Sequence, residues 1–168
     1  MSARLIATFP ELLAVLAEQN VPHTINADAR SVEIPARNPP LDSVCYIRWE
    51  KELPFVQVIC PLVSAVPVER HVELRAAICR VNNAIPLPGF GLDPERGTLY
   101  FRHTLGIAEC ISPGTFQLMV LAVMNAARDY LVPFRGVIDG KRGDEILAAV
   151  VAHAAAAHAA RAAAAFQD

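Results

Sequence analysis

A chain of 168 residues is the length of one domain, with enough apolar side chains to bury a core. Its formal charge is −2 and its charges are scattered, so it lacks the basic run that tracks a phosphate backbone, and nucleic acid is not an expected partner. The longest apolar run, Leu118 to Met124, is far short of a membrane span, and the first residues lack the apolar stretch of a signal peptide, so a cytoplasmic protein with no membrane contact is expected.

Helical spacing of Leu12, Val15, Leu16 and Gln19 predicts a first helix over 6–19, stopped by Pro22. Residues 23–36 read as two short strands joined by a turn at Ala27 to Arg30. "VCYIRWE" and "PFVQVICPLV" are β-rich runs, with "EKELP" as the hairpin connection between them. Pro67 and Val68 open a second helix that reaches about Ala84, where Pro86 and Pro88 forbid continuation. In "NAIPLPGFGLDPERGTLYFRHTL" three glycines raise the question of a phosphate loop. A P-loop needs lysine beside Ser or Thr, and a dinucleotide fingerprint must open a helix. Here Gly91 leads instead to a turn with Pro94 preset at its second position and Gly97 closing it with positive φ. A strand follows in which Leu99, Phe101 and His103 share one face.

The third helix starts at an N-cap, Ser112, with Pro113 in the first helical position. Phe116, Met119, Val120, Val123, Ala127 and Tyr130 share a face, and Pro133 is expected to end the helix. "RGVIDGKRG" reads as a linker, and residues 144–168 as an alanine-rich helical tail. The resulting order, α-β-β-β-β-α-β-β-α, lacks regular βαβ alternation. It predicts an α+β fold with an antiparallel sheet covered by helices on one face.

The stretches "RVNNAIPLPGFGLDPERGTLYFRHTL" and "ISPGTFQLMVLAVMNAARDYLVPF" together resemble the YbjN-type bacterial domain, through Asn82, Phe90, Leu92, Asp93, Gly97, Leu105, Ser112, Phe116 and Tyr130. The resemblance covers residues 5–135, and places the domain at 1–135, a linker at 136–143 and the tail at 144–168. It implies a fold similar to that of type III secretion chaperones, usually dimeric, without a catalytic centre. The function so implied is a binding or regulatory protein, chaperone-like, with no cofactor.

Chemical sites were weighed beside that resemblance. His153 and His158 are five apart, which leaves their imidazoles about 140° apart on a helix, so no metal is expected there. Cys110 with His103 is the alternative, a small cysteine-dependent hydrolase or thiol enzyme; Glu109 beside the thiol argues against it, because a neighbouring carboxylate raises a thiol pKa. Cys45, Cys60, Cys79 and Cys110 have no CxxC spacing and read as reduced, partly buried thiols. His71, Glu73 and Arg75 read as a solvated edge.

The second helix carries more information. Leu74, Ala77, Ile78, Val81 and Ile85 cluster within roughly 80°, enough for a core stripe. Val68, Val72, Ala76 and Cys79 form a second apolar stripe about 140° away. In the chaperones that the domain resembles, the corresponding helix makes the dimer contact, so this stripe is the expected homodimer interface. Leu118 and Leu121, among the polar residues of the third helix, form a possible patch for an unknown protein partner unless the tail covers them.

Overall fold

The computed structural model of the chain describes residues 5–50, 55–87, 89–107, 110–141, 148 and 152. Among the described residues the element order matches the one expected, with three helices and six strands: α1 (Phe9–Glu18), β1 (Thr24–Asn26), β2 (Ser31–Asn38), β3 (Leu41–Trp49), β4 (Phe55–Val63), α2 (His71–Ala84), β5 (Phe90–Asp93), β6 (Thr98–Gly106) and α3 (Pro113–Ile138). A short 3-10 turn, Val68–Arg70, leads into α2. The strands form one six-stranded antiparallel sheet in the order β1-β2-β3-β4-β6-β5, which makes the fold α+β. Two compact units are described separately. One comprises Met1–Leu62 and Tyr100–Asp129; the other comprises Val63–Leu99 and Tyr130–Asp168.

In the first unit, α1 starts later than its hydrophobic spacing suggests. Thr8 is the N-cap: its hydroxyl accepts from the Glu11 amide and donates to the Glu11 carboxylate, which also takes the Ala7 amide. This reciprocal Thr-x-x-Glu arrangement satisfies amides that the helix leaves free. Ile6, expected inside the helix, instead exchanges two backbone hydrogen bonds with Ile111. The hairpin of β2 and β3 turns through Pro39 and Pro40, joined by a cis peptide bond. Its register sets Val32 opposite Ile47 and Ile34 opposite Cys45, all four buried. The next pairing sets Ile47 against Val58. Leu12, Val15 and Leu16 of α1 and Phe116, Met119, Val123 and Ala127 of α3 are buried with these strand residues, as the two periodicities predict.

Cys45 and Cys60 follow from the same register. With Tyr46 opposite Ile59, one step along the pairing puts the two thiols face to face, both fully buried. A hydrogen bond with Cys60, and burial, hold the Cys45 thiol protonated, well above the ordinary thiol range. The expectation of four partly buried thiols is thus corrected: Cys45 and Cys60 are core residues, while Cys79 and Cys110 are exposed.

The second unit is organised around Phe90, whose ring lies 5.1 Å from that of Tyr130 and 4.9 Å from that of Phe134, centroid to centroid. Pro133 does not end α3, contrary to the expectation. It removes one backbone donor, but Phe134 and Val137 beyond it are buried, and their packing carries the helix on to Ile138. The helix then closes at Gly140, at φ +86°, with the Lys141 amide donating to the Gly136 carbonyl.

Candidate functional site

Of the residues that carry the family resemblance, Asn82, Phe90, Asp93, Gly97 and Tyr130 have structural roles in the second unit. The Asn82 carboxamide reaches from α2 to the start of β5, accepting from the Gly89 and Phe90 amides at 3.2 and 3.1 Å and donating to the Phe90 carbonyl at 2.9 Å. One side chain therefore satisfies three backbone groups. The Asp93 carboxylate accepts from the Glu95 and Arg96 amides and so organises the turn into β6. Gly97 ends that turn at φ +59°, and its carbonyl accepts from the Val66 amide at 2.8 Å. A Cβ there would lie 2.9 Å from the Val66 carbonyl oxygen, so the position excludes any larger residue on both counts. These residues build a frame that joins the end of α2 to the start of β5 and the turn into β6. In α3, Ser112 caps the helix as expected, its hydroxyl accepting from the Thr115 amide at 3.0 Å.

The surface that the frame presents is the outer face of α2. Leu74, Ala77, Ile78 and Val81 are buried, and Ile85 is half-buried. His71 is also buried, and a ring nitrogen lies 3.1 Å from the Val66 carbonyl. This corrects its assignment to a solvated edge: the helix starts at His71, and a first residue facing the core has a free carbonyl within reach. Glu73 and Arg75 are exposed, and Arg70 pairs with Glu73 at 3.1 Å.

All four residues of the second stripe are exposed, Val68 at 75% and Val72 at 77%, with Ala76 and Cys79 beside them. At 100° per residue, Val72, Ala76 and Cys79 lie within about 60° of one another and form a ridge. A small residue, Ala76, sits at its middle. Acidic Glu69 and Glu73 lie toward the start of this segment, and basic Arg75 and Arg80 follow. In the first unit, Leu118 and Leu121 on α3 are 69% and 47% exposed.

Cys110 is exposed, and His103 is half-buried with its pKa lowered by burial. Among the described residues no hydrogen bond joins the two. Glu109, the "EKELP" connection beyond Glu50, His153 and His158 lie outside the described residues, as does the tail apart from Ala148 and Ala152. Among the described residues, no helix is long and apolar enough to cross a membrane.

No curated protein matches the chain. Among solved structures it is similar to "Crystal structure of YbjN, a putative transcription regulator from E. coli", with a TM-score of 0.59 and 9% identity, over 76% of this chain and 94% of that one. At that identity the likeness is one of fold. A family model described as "Putative bacterial sensory transduction regulator" matches residues 10–135, the span that holds both the Asn82–Gly97 frame and the exposed α2 ridge. The chain therefore belongs to the YbjN family.

Proposed function

We propose that this chain is a regulatory, chaperone-like protein that acts by binding other proteins and not by catalysis, and that it works as a cytoplasmic homodimer joined through Val68, Val72, Ala76 and Cys79. The observation that carries the reading is the apolar ridge of α2 and the turn before it, where Val72 and Val68 are about three-quarters exposed while the other face of the helix already fills a core. Burying a valine is worth about 1.5–3 kcal/mol, so leaving two in water on one ridge needs a reason.

A second copy of the same helix supplies one. Two α2 helices crossing antiparallel about Ala76 approach closely at the small residue and set Val72 of one beside Cys79 of the other. Such a contact is self-complementary, each helix presenting the same ridge to its mate, as a two-fold interface requires. Leu118 and Leu121 remain for a protein partner. The exposed thiols Cys79 and Cys110 fit a reducing compartment.

Light scattering on the full chain tests the proposal. The expected result is a dimer mass for the natural chain and a monomer mass for Val72→Glu, with the monomer still folded. A natural chain that is monomeric at tens of micromolar, or a Val72→Glu variant that stays dimeric, overturns it.

A further inference from the structure

The first unit holds a cleft that the reading above does not use. It has a volume of about 660 Å³, within the range of small-molecule sites. Phe9, Pro10 and Leu13 of α1 form one wall, and Ile25 of β1 and Trp49 at the end of β3 form another. Arg30, in the turn between β1 and β2, is the only charged residue that lines it among the described residues.

The turn is held firmly. The Asn26 side chain accepts from the Ala29 amide at 3.1 Å, the Arg30 amide donates to the Ala27 carbonyl at 3.2 Å, and the Arg30 carbonyl accepts from the Trp49 amide at 3.0 Å. Arg30 is thereby fixed beside Trp49, with a backbone φ of +45° that few non-glycine residues adopt. Among the described residues its guanidinium has no ion pair and no hydrogen bond. At the nearby helix end the Thr8 hydroxyl takes the Glu11 amide and the Glu11 carboxylate takes the Ala7 amide. Among the described residues, what remains is a largely apolar, aromatic-walled slot with Arg30 as its one charged lining residue.

We propose that this cleft binds a small organic acid, an aromatic or apolar body carrying one carboxylate. The body would lie against Trp49, Phe9, Leu13 and Ile25, and the carboxylate would take the Arg30 fork, a geometry that guanidinium matches with two parallel hydrogen bonds. The site is independent of the dimer ridge, so either proposal can fail while the other stands.

Trp49 is the only tryptophan in the chain, so its fluorescence reports on the cleft directly. The full-length protein would be titrated with para-bromobenzoate, whose heavy atom quenches tryptophan on contact, and with neutral para-bromobenzamide, which has the same shape. The expected result is saturable quenching by the acid, at least tenfold weaker apparent affinity in Arg30→Gln, and amide binding that is equally weak in both proteins. Ile25→Asp, at an exposed position on the apolar wall, should weaken the acid similarly and gives a second readout should Arg30→Gln misfold. Quenching by the acid that rises linearly without saturation, acid and amide that bind alike, or correctly folded variants that keep the natural affinity would each overturn the proposal.

Discussion

Two neighbouring regions of the second unit contrast sharply. Between Asn82 and Gly97, the polar groups that shape the chain have partners within it: Asn82 serves three backbone groups, Asp93 serves two, and Gly97 meets Val66. Directly before this stretch, Val68 in the turn into α2 and Val72 on the outer face of α2 are about three-quarters exposed among the described residues. The contrast teaches that the most recognisable motif in the sequence is architecture, and that the less recognisable ridge beside it is where another molecule has something to gain. Glycines at a turn are required by backbone geometry and excluded volume, whereas the role proposed for the exposed ridge depends on a second copy of the chain.

That distinction can be broken by mutation. Asn82→Ala strands the Gly89 and Phe90 amides and the Phe90 carbonyl, and should cost about 2–4 kcal/mol, at 1–3 kcal/mol for each group left without a partner and with water recovering part of it. Urea unfolding of the natural and variant proteins measures this. Gly97→Ala combines a left-handed φ with a Cβ against Val66 and should cost about 1–3 kcal/mol by the same measurement. If both variants unfold like the natural chain, the frame is not what holds this region.

On the ridge the expectation reverses. Val72→Glu should change the stability of the folded monomer by less than about 0.5 kcal/mol, because the side chain is already in water, while abolishing the dimer. Thiol alkylation sharpens this further. Cys110 should react quickly and Cys45 and Cys60 only on unfolding, since both are fully buried. Cys79, exposed in the single chain, should react slowly in the dimer and as fast as Cys110 in Val72→Glu. Equal rates for Cys79 in the two proteins would remove it from the interface.

The smallest effect belongs to His103. Burial lowers its folded pKa below the unfolded value, so the unfolded chain binds the proton more readily. Stability should therefore be full above the unfolded pKa near 6.5 and decline as the pH falls through it toward the folded value. His103→Gln should flatten that part of the melting-temperature profile between pH 7.5 and 5.5; a profile unchanged by the substitution would show that His103 carries none of the slope.

Much of this protein was legible in its sequence because the signals are local. Alternation and helical spacing are consequences of which face is buried, so the order of nine elements, the Ser112 cap, the Gly97 turn and both stripes of α2 follow from residues close together in the chain. The α+β class follows from the same element order, and membership of the YbjN family was expected from the resemblance of residues 80–105 and 111–134 to that family. Tertiary structure alone decided what depends on partners distant in sequence. Helix α3 passes through Pro133 because Phe134 packs against Phe90, more than forty residues earlier. His71 turns inward because α2 starts there with the Val66 carbonyl in reach. Cys45 meets Cys60 because strand register makes them opposite, and Arg30 reaches the Trp49 cleft because a backbone hydrogen bond joins a turn to the far end of another strand. A periodic pattern shows which side of an element is buried, but only the assembled chain determines what is buried against it.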